Sequence, residues 1–125
     1  MATINGTSGG DQLAGTDVGD SIFGLEGDDF ITGHGGGDRM EGNAGNDSIF
    51  AGVGDGTEDR DTILGGEGAD ILGAGPGADY VYGNAGADTI FGGDGNDLLH
   101  QEVHFRDITD TWGGTIWAGA GKDYV

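Results

Sequence analysis

Gly83-Asn84-Ala85-Gly86-Ala87-Asp88-Thr89-Ile90-Phe91 runs without a break into Gly92-Gly93-Asp94-Gly95-Asn96-Asp97-Leu98-Leu99-His100. Both nonapeptides open on a glycine-rich half, place aspartate sixth and put an apolar side chain eighth. The same phase runs backwards through Asp79, Asp70 and Asp61 and, beyond one insertion, through Asp47, Asp38, Asp29, Asp20 and Asp11; Asp123 returns to it near the end. Two residues after each aspartate stand Leu13, Ile22, Ile31, Met40, Ile49, Ile63, Leu72, Val81, Ile90, Leu99 and Val125, with Ile4 one step earlier. An internal period of this kind calls for a solenoid before any other architecture.

The first half of each unit reads as a turn and the second as a very short strand. A tight loop that aims backbone carbonyls at one point needs dihedrals that a side chain opposes, and glycine holds the fourth position at Gly9, Gly27, Gly36, Gly45, Gly54, Gly68, Gly77, Gly86, Gly95 and Gly121. Val18 departs from this rule, which predicts a weaker loop before Asp20. Turn plus strand reverses the chain, so two units form one coil and strands of alternate units stack on opposite sides. Ladder side chains from both sides then point inward and their neighbours outward, as alternation along a strand requires.

A core one side chain thick offsets little of the entropy of ordering 31 glycines among 125 residues. The formal charge is -19, from 23 acidic against 4 basic residues, which would favour disorder without the period. It also repels phosphates and anionic membrane surfaces, leaving cations as the natural partners and arguing against nucleic acid. Without cysteine there are no disulfides or thiolate sites, and oxygen ligands select hard ions. No apolar run is long enough for a membrane span, and Met1-Ala2-Thr3-Ile4-Asn5-Gly6 has no secretory-signal pattern.

Stacking sets aspartates of alternate units roughly 4.8 Å apart along each edge. Unit charges at that spacing repel by ~0.9 kcal/mol in water and by more near a protein surface. A divalent ion between successive turns reverses the sign, with both carboxylates as ligands and loop carbonyls completing the shell. Calcium, which takes six to eight oxygens in flexible geometry, suits this better than octahedral magnesium.

Gly92–His100 and Gly65-Gly66-Glu67-Gly68-Ala69-Asp70-Ile71-Leu72-Gly73 resemble the G-G-x-G-x-D-x-U-x nonapeptide of the repeats-in-toxin (RTX), or hemolysin-type, calcium-binding proteins. The resemblance spans residues 4 to 100 and returns at 118 to 125. It implies an all-β parallel β-roll over residues 1–100, with calcium held between units two apart. Asp11, Asp29, Asp47, Asp70 and Asp88 would share one edge, and Asp20, Asp38, Asp61, Asp79 and Asp97 the other. Carbonyls of the loops carrying Gly9, Gly27, Gly36, Gly45, Gly68, Gly77, Gly86 and Gly95 would complete about eight sites. It further implies type I secretion as an unfolded chain and folding outside the cell.

Two stretches break the period. Around 51–60, Asp55, Glu58 and Asp59 could form an extra calcium site or belong to a solvated insertion, with Arg60 expected beside an acid. Residues 101–117, holding both tryptophans, read as an irregular strand-rich cap over the roll's end, although a metal site from His100, His104 and Asp107 is conceivable. Residues 118–125 then form a partial terminal repeat. Outward Phe23, Phe30, Phe50, Tyr80, Tyr82 and Phe91 either meet a polysaccharide or a parent domain, or shield the sheet; Phe50 and Phe91 share a face with Gly73 between them. No nucleophile elbow or Ser-His-Asp constellation is present, and His34 reads as a substituted turn residue rather than a base. The chain is therefore expected to be a calcium-binding, non-enzymatic module. The alternative is an accessory module of a secreted protease, lipase, alginate epimerase or adhesin.

Overall fold

The computed structural model describes residues 1–52, 59–101, 115–119, 121–122 and 124–125. Twelve strands alternate between two all-parallel sheets: β1 (Thr3–Asn5), β2 (Gln12–Ala14), β3 (Ser21–Glu26), β4 (Phe30–Thr32), β5 (Arg39–Ala44), β6 (Ser48–Phe50), β7 (Thr62–Glu67), β8 (Ile71–Gly73), β9 (Tyr80–Ala85), β10 (Thr89–Phe91), β11 (Leu98–His100) and β12 (Thr115–Trp117). The odd strands stack in the order β1-β3-β5-β7-β9-β11 and the even ones as β12-β10-β8-β6-β4-β2. This is a parallel β-roll with one coil per two units, as the period and the resemblance lead one to expect.

Register follows the ladder. Ile4 pairs with Ile22, Ile22 with Met40, Met40 with Ile63, Ile63 with Val81 and Val81 with Leu99. On the other side Leu13, Ile31, Ile49, Leu72, Ile90 and Ile116 stand in line. From Ile22 through Leu99 the ladder side chains are buried, while Ile4, Leu13 and Ile116, at the two ends, are only partly covered. Each fully buried ladder residue contributes roughly 1.5–3 kcal/mol, and it also fixes register, because a one-residue slip would turn it out to solvent.

The two sheets differ in a way the period does not announce. β3, β5, β7 and β9 run six residues, continuing through the first glycine of the next unit so that Leu25, Asn43, Gly66 and Asn84 pair across coils. The even strands stop after three. The sequence that follows β6 carries the insertion, and the one that follows β8 carries Pro76, which has no N–H to donate to a ladder. The insertion leaves the register untouched: hydrogen-bonded aspartates are 18 apart in ordinary coils and 23 apart across it.

Thr115–Trp117 was grouped by sequence with the cap, but it is the sixth strand of the even sheet, with Ile116 opposite Ile90. Tyr124 then bridges to Leu98 in the odd sheet, so the roll resumes after residue 114. The proposed cap residues 102–114, with His104 and Asp107, lie outside the described residues, as do Asp55 and Glu58. Arg60, expected beside an acid, donates from Nε to the Ala78 carbonyl (3.2 Å), places its guanidinium 5.4 Å from the Tyr80 ring centroid and acts by its charge on the Asp79 carboxyl. His34 is a turn residue, in the left-handed region at φ 79°.

Candidate metal centre

Each unit's aspartate lies where the turn enters the strand, so one carboxylate per coil falls at each edge of the roll. From Asp11 to Asp79 the backbone N–H of each such aspartate donates to Oδ1 of the aspartate one coil further on. Along one edge Asp11 donates to Asp29 (2.8 Å), Asp29 to Asp47 (2.8 Å), Asp47 to Asp70 (2.8 Å) and Asp70 to Asp88 (3.0 Å). Along the other Asp20 donates to Asp38 (2.8 Å), Asp38 to Asp61 (2.7 Å), Asp61 to Asp79 (2.9 Å) and Asp79 to Asp97 (3.0 Å). The structure thus brings together all eight aspartate pairs expected from the period.

These carboxylates are buried from Asp20 to Asp97, with Asp79 and Asp88 at 0% exposure. With Oδ1 engaged, the buried Oδ2 atoms of Asp29, Asp38, Asp47, Asp70 and Asp79 find no hydrogen-bond donor. Burying a carboxylate oxygen without a partner costs several kcal/mol unless a cation or a proton meets it. A hard divalent ion fits that donor set, with two carboxylates per rung and carbonyls nearby. Among the described residues no three His, Cys, Asp or Glu side chains converge, so neutral oxygens such as the loop carbonyls are needed to complete a shell.

Sequence reasoning placed the loop's special glycine fourth in the unit; the structure shows that the first is also constrained along the edge that carries Asp29, Asp47 and Asp70. A Cβ on Gly24 would meet Asp29 Oδ2 and stand 2.8 Å from the Gly42 carbonyl oxygen. One on Gly42 would meet Asp47 Oδ2 and stand 2.7 Å from Gly65 O, and one on Gly65 would meet Asp70 Oδ2 and stand 2.8 Å from Gly83 O. A carboxylate oxygen and the next coil's carbonyl therefore flank the space that the missing side chain leaves open. The signal was legible in the recurrent glycine at 6, 15, 24, 33, 42, 65, 83 and 92. Ala51 and Ala74 take this position in two units of the other edge.

Fourth-position glycines serve a different purpose. Gly27, Gly36, Gly45, Gly68, Gly77, Gly86 and Gly95 all have φ between 89° and 155°. A Cβ on Gly45, Gly68, Gly86 or Gly95 would collide with the carbonyl oxygen of Gly27, Gly45, Gly68 or Gly77, respectively, one coil earlier. Gly9 differs, having open space around it. In that first coil Thr7 donates to Asp11 Oδ2 from N–H (2.5 Å) and hydroxyl (2.9 Å), and Thr16 does the same for Asp20 (2.6 and 2.8 Å). The loop containing Val18, expected to be the weak one, is closed by Thr16. Hydrogen bonds from the Ala2 N–H and from Thr16 hold the Asp20 carboxyl below its ordinary range.

In the interior the opposite holds. Burial pushes the carboxyl of Asp61 up to about 6 and those of Asp70 and Asp79 up to about 7, with repulsion from neighbouring aspartates adding to the effect. Asp38, Asp47 and Asp88 are raised as well, chiefly by burial. Without metal the folded chain therefore holds these protons more tightly than the unfolded chain does. The stability they confer is whole below the ordinary value of 3.8 and is lost as pH rises through about 6 to 7. In chelator, strand signal in circular dichroism is expected to grow as pH falls from 8 to about 4.5. A signal independent of pH over that range would contradict the assignment of these groups as buried and unpartnered.

Of the conceivable site at His100, His104 and Asp107 only His100 lies among the described residues, and its ring stacks on Tyr82 at 5.3 Å and 9°. No helix among the described residues is long and apolar enough to cross a membrane. A comparison with curated proteins finds no match. The family model of the RTX calcium-binding nonapeptide repeat, built on 4 copies, matches residues 5–40, 14–49, 32–55, 55–81 and 74–99. With the parallel roll, the stacked buried aspartates and this coverage together, the chain belongs to the RTX calcium-binding repeat family, whose repeat is a calcium-binding rather than a catalytic unit.

Proposed function

We propose that the chain is a non-catalytic module that folds around calcium, with Asp11, Asp20, Asp29, Asp38, Asp47, Asp61, Asp70, Asp79, Asp88 and Asp97 as its carboxylate ligands. Carbonyls of the loops that carry Gly9, Gly27, Gly36, Gly45, Gly68, Gly77, Gly86 and Gly95 complete the shells. The observation that supports this most is the row of buried Oδ2 atoms that lack a protein donor at Asp29, Asp38, Asp47, Asp70 and Asp79. Eight stacked aspartate pairs correspond to about eight ions, whose charge offsets most of the formal -19. Binding free energy is then folding free energy, so the chain stays open where calcium is scarce and closes at the ~0.1–1 mM typical of extracellular modules. That behaviour suits a protein exported unfolded by a type I system and ordered outside the cell, where the roll supports secretion and stability. Native mass spectrometry in calcium is expected to show about eight ions bound cooperatively. A count of two or fewer, or equal occupancy by magnesium at the same concentration, would contradict the ligand set.

A second reading adds a partner. The roll serves as an accessory module of a secreted enzyme or adhesin and contacts a polysaccharide or a parent domain. The exposed aromatics Phe30, Phe50, Phe91 and Trp117, all on the even sheet, favour it.

A further inference from the structure

We propose that the outer face of the even sheet binds an uncharged linear polysaccharide; this deepens the accessory-module reading and rests on it. Along all six strands the central residue points inward and the two flanking residues outward. None of those outward side chains carries a charge, in a chain with 23 acidic and 4 basic residues. The odd sheet is different: its outer face holds the Arg39–Glu41 ion pair, and Arg60 lies over Tyr80.

Two chemistries share the uncharged face. Phe30, Phe50, Phe91 and Trp117 are 46%, 36%, 41% and 62% exposed. Ser48 stands opposite Phe30 and Thr32 opposite Phe50, whereas at the other end Thr89 pairs with Thr115 and Phe91 with Trp117, so hydroxyls there run beside the rings. A pyranose ring has the complementary character, with an apolar C–H face that stacks on an aromatic ring and a rim of hydroxyls that hydrogen-bonds.

Gly73 sets the posture of the central ring. It lies between Phe50 and Phe91, and Phe50 Cδ1 stands 2.8 Å from where its Cβ would be. The Phe50 ring therefore leans across the neighbouring strand, one side on the sheet and the other toward solvent. Phe30 flanks it at 5.9 Å with the planes tilted by 47°.

Repetition and charge select the occupant. Rungs recur every ~4.8 Å along the roll, so the face offers a periodic ligand equivalent contacts at successive positions. With about eight divalent ions bound the formal -19 is mostly offset, so selection is local to the face: no cationic side chain stands on it to attract a polyanion, whereas its rings and hydroxyls suit an uncharged glycan.

The test is affinity electrophoresis of the calcium-loaded full chain through gels containing hydroxyethyl cellulose, glucomannan, xyloglucan or soluble starch, with alginate as the anionic control. Retardation is expected in at least one uncharged glycan and not in alginate. Phe50→Ala/Phe91→Ala should bind about tenfold more weakly, because two stacked rings are worth roughly 1.4 kcal/mol together, whereas Tyr80→Ala on the opposite sheet should bind as the parent does. Several results overturn the proposal: no retardation in any uncharged gel, equal retardation of the double variant, binding to alginate alone, or a dimer in sedimentation that the double variant abolishes. Circular dichroism of the same samples separates the two ideas. A chain that orders in calcium yet ignores every glycan refutes the glycan face and leaves the calcium reading standing, whereas a chain that fails to order refutes both.

Discussion

Gly86→Val is expected to remove most calcium-induced folding at calcium concentrations that fully order the parent chain. Gly86 sits at φ 134°, where a β-branched residue is strongly disfavoured, and its Cβ would fall on the Gly68 carbonyl oxygen one coil away. Neither problem can be relieved by a side-chain rotation, because the obstructing atom is backbone. Strain of this kind costs roughly 1–3 kcal/mol before the collision is counted, so the calcium midpoint should rise by more than about tenfold. Gly9→Ala supplies the contrast, since a Cβ there has nothing within 4 Å and the backbone is outside the left-handed region. It is expected to shift the midpoint less than about twofold, within the ~0.5 kcal/mol typical of tolerant surface sites. Equal behaviour of the two variants, read by far-ultraviolet circular dichroism against calcium, would refute the view that coil-on-coil contact dictates these glycines.

Asp70→Asn should act with opposite signs in calcium and in chelator. Its Oδ1 accepts the Asp47 N–H at 2.8 Å, and asparagine keeps an acceptor there, so the ladder between coils survives. What disappears is the charge and the unpartnered oxygen. In chelator at pH 8 an ionised Asp70 costs the fold roughly a few kcal/mol, because burial raises its pKa to about 7, and the variant should be more ordered than the parent. In calcium the variant loses a carboxylate ligand, and its midpoint should rise about tenfold or more. Loss of stability in both media would reduce Asp70 to a structural hydrogen-bonding residue. No change in either would remove it from the metal site.

Strict spacing is why so much of this was legible. A nine-residue unit that reverses the chain allows few registers, and the apolar ladder selects one of them. The aspartate pairs Asp11/Asp29 through Asp79/Asp97 then follow from arithmetic. The five-residue lengthening between Asp47 and Asp61 does not disturb this, since Met40 still meets Ile63. Features that depend on direction rather than spacing stayed hidden. Division of labour between Oδ1, which accepts a backbone N–H, and Oδ2, which does not, needs the rotamer. The crowding at the first-position glycines needs the neighbouring coil. Thr115–Trp117 was missed because Gly114 stands where the phase calls for aspartate, so the rung is marked only by Ile116. Pro76 and the insertion hinted at the shorter even strands, but only pairing along Leu25, Asn43, Gly66 and Asn84 reveals how far the odd ones extend.

The central claim is that buried, stacked aspartates require a divalent ion to coexist in the folded state at neutral pH. Far-ultraviolet circular dichroism of the chain at pH 7.5, after exhaustive dialysis against chelator and again in 5–10 mM calcium (about tenfold above the range of extracellular modules), tests it most directly. The account predicts a largely unordered spectrum in chelator and a cooperative gain of strand signal on adding calcium. Equal strand signal in both would contradict it.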